Sequence, residues 1–184
     1  MKWLIASDIH GSAYYCEKLI HAFEYEKADK LLLLGDVLYH GPRNDLPKEY
    51  NPKKVIELLN GLSQKILCVR GNCDSEVDQM VLNFPLMAEY IALDLGNSTI
   101  FATHGHIFSE QKMLPCAQNS ILLCGHTHIP ACTKHENFTY LNPGSVSLPK
   151  ENSPHSYMTL CENTFVWKKL DDNSEFGSPY KIIQ

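Results

Sequence analysis

Histidine, aspartate and asparagine recur in this chain just after short apolar runs, in spacings that suit metal ligation. The run Ile121-Leu122-Leu123-Cys124 leads into Gly125-His126-Thr127-His128, and two imidazoles at i and i+2 leaving a buried strand can converge on one point. Four other runs end in the same way. Trp3-Leu4-Ile5-Ala6 precedes Asp8-Ile9-His10, and Leu31 to Leu34 precedes Gly35-Asp36. Ile66 to Val69 precedes Gly71-Asn72-Cys73-Asp74, and Thr99 to Thr103 precedes His104-Gly105-His106. Any one of these is an ordinary loop; all of them at strand ends in one chain with 9 histidines is not a chance pattern.

Carboxylate oxygens with imidazole nitrogens suit manganese, iron, nickel or zinc. The cysteines contain no C-x-x-C pair, which argues against a thiolate zinc cage. Asp8, His10, Asp36, Asn72, His104, His126 and His128 are too many ligands for one first-row ion, and they suffice for two if a carboxylate bridges. Paired ions about 3.5–4 Å apart serve in-line displacement at phosphorus by clamping the attacking and leaving oxygens. With two divalent ions, two aspartates and a hydroxide, such a centre keeps a charge of about +1 and attracts a phosphate ester.

The elements that must position these residues are legible from periodicity. Residues 2–7, 30–34 and 66–70 read as buried strands. Ser12 caps a helix over about 13–27, whose Cys16, Leu19, Ile20 and Phe23 share one face. Asn51-Pro52 starts a second helix with Val55, Ile56, Leu59 and Leu62 inward. Asp74 or Ser75 caps a short helix through Met80. Strand and helix alternate to this point, which favours parallel pairing. The second half reads as hairpins, 88–94 with 98–103 around Gly96-Asn97, and 131–135 with 138–141, then strands at 156–161 and 164–169. The tail from Asp171 to Gln184 is a last strand or a frayed end. The 37–51 loop holds Pro42, Pro47, His40 and Arg43, and loops of that length are functional or mobile.

A chain of 184 residues with 44% hydrophobic and 20% charged residues is expected to form one soluble domain, 1–184, with a full core. A net charge of −5 without a basic cluster argues against duplex nucleic acid as a partner. No apolar stretch approaches a membrane span or a signal-peptide core, so a cytoplasmic location without membrane partners is expected, with the 7 cysteines as reduced thiols.

At these blocks the sequence resembles the calcineurin-like metallophosphoesterases, with Asp-x-His, Gly-Asp, Gly-Asn-Cys-Asp, His-Gly-His and Gly-His-x-His in order, then Asn142-Pro143-Gly144-Ser145. The strings at 35–44 and 70–79 are most similar to a bacterial phosphodiesterase branch of that family. The resemblance implies an α/β fold of two facing mixed β-sheets, a four-layer α/β/β/α sandwich flanked by helices. It implies that Asp8, His10, Asp36 and His128 hold one ion and Asp36, Asn72, His104 and His126 a second, with manganese the usual metal and iron, nickel or zinc alternatives. It implies attack on a small phosphodiester by a metal-bridging hydroxide.

Asn72 and Cys73 are the catalytic candidates, Cys73 standing where many relatives have a histidine. A thiol is a poorer acid than imidazolium at neutral pH, so esters with very poor leaving groups become harder substrates. Arg43 is a candidate phosphate clamp, and His40 and His106 are candidate substrate contacts or outer partners of the ligands. Asp74 either orients His10 or caps the next helix. Two rivals share the fold: a phosphomonoesterase, and a metal-binding protein-interaction scaffold, against which Asn72 argues. Self-association into a homo-oligomer is a further expectation from the resemblance.

Overall fold

The computed structural model describes residues 1–96, 98–115 and 118–182. The elements run β1 (Trp3–Ala6), α1 (Ala13–Tyr25), β2 (Lys30–Leu33), α2 (Pro52–Asn60), β3 (Ile66–Cys68), α3 (Glu76–Gln79), β4 (Tyr90–Asp94) and β5 (Thr99–Thr103). They continue with β6 (Ser120–Leu123), β7 (Pro130–Lys134), β8 (Phe138–Pro143), β9 (Ser156–Cys161), β10 (Thr164–Lys169) and β11 (Glu175–Lys181). The expected helix starts hold. Ser12 Oγ accepts from the Tyr15 N–H at 3.3 Å, and Asn51 Oδ1 accepts from the Lys54 N–H at 3.2 Å. The tail resolves into β11, antiparallel to β10, while Ile183 and Asn97 of the expected turn lie outside the described residues.

Two mixed sheets result. The first has the order β11-β10-β9-β1-β2-β3 and the second β4-β5-β6-β8-β7. β1, β2 and β3 pair in parallel, as do β5, β6 and β8, so their carboxyl ends point the same way within each sheet. Side chains alternate across each strand and divide the core accordingly. Leu4, Ala6, Leu31 and Leu33 face α1 and α2, where Cys16, Leu19, Phe23, Val55 and Leu59 meet them. Ile5, Leu32 and Leu34 face the other way and pack with Ile100, Ile121, Leu123 and Leu141 of the second sheet. That shared layer, closed by Met158, Phe165 and Trp167, is what holds the two sheets face to face.

The outer helical layer expected over the second sheet is not found among the described residues. Leu122, Cys124 and Tyr140 on that face are packed instead by Met113, Phe101, Ala131 and Phe138. No described helix is long and apolar enough to cross a membrane.

One polar cluster ties the first sheet to α1. Glu26, at the end of α1, pairs with Lys2 through Oε2 and with Lys168 through Oε1 at 2.8 Å. The Tyr157 hydroxyl lies 3.1 Å from Glu26 Oε1 and 2.9 Å from Asn173 Oδ1. Burial raises the Glu26 pKa, but the two ammonium groups outweigh it and hold the carboxyl below its usual range. A depressed carboxylate contributes stability above its unfolded pKa and loses it as pH falls through the folded one. Glu26→Gln is therefore expected to cost about 2 kcal/mol at pH 7. In urea unfolding, the gap between the variant and the wild type should close as pH drops below about 4. A gap that is constant with pH would show that charge at Glu26 is not the cause.

Candidate metal centre

The parallel strands of both sheets end at one place. The loops after β1, β2 and β3 bring Asp8, His10, Asp36 and Asn72, and those after β5 and β6 bring His104, His126 and His128. Contacts across the sheets fix them there. The His126 N–H donates to Asp8 Oδ2 at 3.0 Å, and His104 Nδ1 lies 2.6 Å from the Leu34 carbonyl. Five of the seven take the left-handed backbone conformation: Asp8 (φ 60°), His10 (49°), Asp36 (56°), His126 (67°) and His128 (63°). Aspartate and histidine tolerate it better than most residues, at about 1 kcal/mol each, and such strain gathers at functional sites. Reversing the chain directly after a strand turns each side chain inward over the strand ends.

The donor atoms crowd as ligands do. His10 Nε2 lies 3.3 Å from His128 Nε2, 3.6 Å from Asp8 Oδ1 and 3.7 Å from Asp36 Oδ2. His104 Nε2 lies 3.0 Å from Asn72 Oδ1, 3.2 Å from His126 Nδ1 and 3.4 Å from Asp36 Oδ2. Ligand atoms about 2.1 Å from one ion, at octahedral to tetrahedral angles, stand roughly 3.0–3.4 Å apart. Asp36 Oδ2 thus faces both groups. Asp8 Oδ1, fully buried, has no hydrogen-bond partner among the described residues, its imidazole neighbours stopping at 3.3 and 3.6 Å.

Three of the four imidazoles have their outward nitrogen occupied. Nδ1 of His10, His104 and His128 meets the carbonyls of Tyr39, Leu34 and Leu148 at 2.8, 2.6 and 2.6 Å. In the neutral ring the proton then resides on Nδ1 and the Nε2 lone pair points into the cluster, the usual arrangement of a metal-binding histidine. An orphaned buried carboxylate oxygen and three oriented imidazoles fit a divalent cation. Triads with mutually close donor atoms include Asp8, His10 and His128, and also Asp8, Asp36 and His104.

Burial raises Asp8, but His10 and His128 bring it well below the usual carboxylate range. Burial lowers His104, but Asp36 and Asp8 outweigh it and hold the imidazole at about 9. His126 is pushed down by burial and by the His104 charge. Burial, and then Asp36, push the Cys73 thiol up to about 12.

Asp74 takes neither of its expected roles. Ser75 caps α3, and the Asp74 carboxylate collects the N–H groups of Asp36, Val37 and Gly71 at 2.8, 2.8 and 2.7 Å. It pins the loop after β2 to the loop after β3. Ser145 and Ser147 do similar work for Asp8, whose carbonyl accepts from both hydroxyls at 2.9 and 3.0 Å. Asn142 Nδ2 donates to the Gly125 carbonyl at 2.7 Å and steadies the loop carrying His126 and His128.

A cleft of about 380 Å³ opens over the cluster, lined by Asp36, Asn72, Cys73, His126 and His128 together with Gly41, Pro42, Arg43, Asn44 and Lys150. Arg43, the candidate clamp, is among the lining residues. His40 is not among the lining residues: its ring stands edge-on to Tyr39 and Tyr50, at 4.7 and 5.2 Å, with Nδ1 buried and unpartnered. His106 also stands outside the lining, edge-on to His104 at 5.3 Å. Lys150 escaped the sequence reading because it follows the Asn-Pro-Gly-Ser block without a motif of its own.

A model of the calcineurin-like phosphoesterase superfamily domain matches residues 1–164. The phosphodiesterase YfcE of Escherichia coli K12 is 45% identical over 174 residues, 95% of each chain. The solved structure of the E. coli YfcE phosphoesterase superposes with a TM-score of 0.95 at 44% identity, covering both chains fully. A structure of Vps29 with zinc from Entamoeba histolytica, at 20% identity and a TM-score of 0.62 over the whole of both chains, shares the fold.

Proposed function

The chain belongs to the calcineurin-like phosphoesterase superfamily, and from that premise we propose that it is a two-ion phosphodiesterase, with manganese the first metal to try. The observation that carries the two-ion reading is Asp36 Oδ2, which faces His10 at 3.7 Å and His104 at 3.4 Å. Asp8, His10, Asp36 and His128 would hold one ion, and Asp36, Asn72, His104 and His126 the other. Cleavage of diesters is supported by the 45% identity to a protein named as a phosphodiesterase.

Bound divalent cations supply charge neutralisation at the phosphoryl oxygens and a lowered pKa for water. The protein's own groups do the rest. Asp8 and Asp36 set the charge of the centre, and the backbone carbonyls of Tyr39, Leu34 and Leu148 hold the imidazoles in register. Asn72 Nδ2, 3.2 Å from Cys73 Sγ, is placed at the cleft to donate to a phosphoryl oxygen as charge grows there. Arg43, lining the same cleft, offers a planar fork to an anionic group of the substrate. The oxygen of water bonds to phosphorus as the opposite ester bond breaks; the water's proton passes to solvent, and the leaving alkoxide takes one from solvent in the open cleft.

The test is hydrolysis of bis-p-nitrophenyl phosphate and p-nitrophenyl phosphate by metal-stripped protein resupplied with manganese, nickel, iron or zinc. Manganese should restore cleavage, with the diester favoured at least about tenfold in kcat/KM. A preference for the monoester would overturn the diesterase assignment. Two tightly bound ions without any hydrolysis would favour a scaffold instead.

A further inference from the structure

The cleft carries two cations that the protein does not neutralise. Arg43, on the loop between β2 and α2, and Lys150, on the loop between β8 and β9, both line it. Among the described residues neither side chain makes a hydrogen bond or ion pair. Lys2, Lys18, Lys54, Lys168 and Arg70, by contrast, all pair with carboxylates. The backbone under Lys150 is fixed. Its N–H donates to the His128 carbonyl at 3.2 Å, and its carbonyl accepts from the N–H and hydroxyl of Ser153 at 3.0 and 2.6 Å. The chain neighbours Asp45 and Glu151 do not line the cleft, and the one lining carboxylate, Asp36, already faces His10 and His104.

The rest of the lining is as informative. Gly41, Pro42, Asn44, Asn72 and Cys73 provide polar or small surfaces, and the only rings besides proline are His126 and His128 of the metal cluster. A nucleobase would find no aromatic platform on which to stack. A scissile phosphodiester carries one negative charge, which the cations of the centre already attract. Two further uncommitted cations in an otherwise acidic protein exceed that need.

We propose that Arg43 and Lys150 form an anion subsite beside the scissile group, which selects phosphodiesters whose organic substituent carries a second phosphate or a carboxylate. The proposal rests on the diesterase reading and names its substrate class.

The probes are three p-nitrophenyl alkyl phosphodiesters with the same three-carbon chain, ending in hydroxyl, carboxylate or phosphate. The manganese-loaded protein should cleave the anionic esters with kcat/KM about tenfold higher than the hydroxyl ester, mainly through KM, and the advantage should shrink with added salt. Lys150→Gln should remove most of that preference, and Lys150→Arg should keep it. Lys134→Gln, on an exposed strand outside the cleft, should leave the preference at the wild-type value. A phosphate ester favoured over the carboxylate would assign the subsite to a second phosphate; equal preference would leave both as ligands of the same kind. Equal kcat/KM for all three esters would overturn the subsite while leaving the diesterase intact. Should no ester be cleaved, the diesterase reading fails, and calorimetry decides the subsite separately. There, propane-1,3-bisphosphonate should bind at least about tenfold more tightly than propylphosphonate, and Lys150→Gln should erase the difference. Equal affinities would end the proposal.

Discussion

Asp36→Ala is expected to lower metal-dependent diester hydrolysis by on the order of a thousandfold, and to leave the protein with fewer than two bound ions. The carboxylate is 2% exposed and does three things at once. Oδ1 accepts from the Cys73 N–H at 2.8 Å, which sets the side chain against the loop bearing Asn72. Oδ2 faces His10 on one side and His104 on the other. Removing it unseats both proposed ions rather than one, whereas loss of His128 or Asn72 would touch a single position. Asp36→Asn keeps the oxygen that accepts from Cys73 but not the charge. It should bind metal weakly and retain more structure than activity. Metal content measured on gel-filtered protein, alongside kcat, separates the cases. If Asp36→Ala still holds two ions, Asp36 is not the bridge, and Asp8 becomes the alternative because its Oδ1 is the buried oxygen without a partner.

The candidate metal-binding positions were visible in the sequence because the fold places them by a local rule. A short apolar run followed by aspartate or histidine already states that the strand ends and the ligand begins, and Leu31–Leu34 before Asp36 is an example. Caps at Ser12 and Asn51 and the hairpin of β4 with β5 are equally local. What joins distant segments is not written locally. β9 returns to lie antiparallel beside β1, and β8 inserts between β6 and β7, so that two sheets face each other. No periodicity in 2–7 or 156–161 specifies that partner. The same limit applies to the cleft. Whether His40 faces substrate depends on how Tyr39 and Tyr50 pack around it. Cys73 shows both levels. Its identity signalled a missing imidazole, but only its burial beside Asp36 shows how firmly the thiol proton is held.

Gly71→Ala is expected to cost about 3 kcal/mol and to misplace the proposed bridge without replacing a ligand. A Cβ on Gly71 would lie 2.1 Å from Asp36 Oδ1 and 2.3 Å from the Asp36 backbone nitrogen. One contact is with the ligand and the other is with main chain, so a side-chain rotation alone does not relieve them. The crowding is a consequence of Asp74, which gathers the N–H groups of Gly71, Asp36 and Val37 onto one carboxylate and draws the two loops into backbone contact. Making room means lengthening those hydrogen bonds, which costs stability, and swinging Asp36 Oδ1 away from the Cys73 N–H, which costs metal affinity. Gly96→Ala is the control. Its φ of +86° strains an alanine, but no atom lies within 4 Å, so it should cost about 1 kcal/mol and leave metal binding alone. Urea unfolding with metal titration reads both effects. If Gly71→Ala unfolds near the wild-type midpoint and still loads two ions, then the loops after β2 and β3 have slack between them. The position of Asp36 would then depend on the metals rather than on the protein.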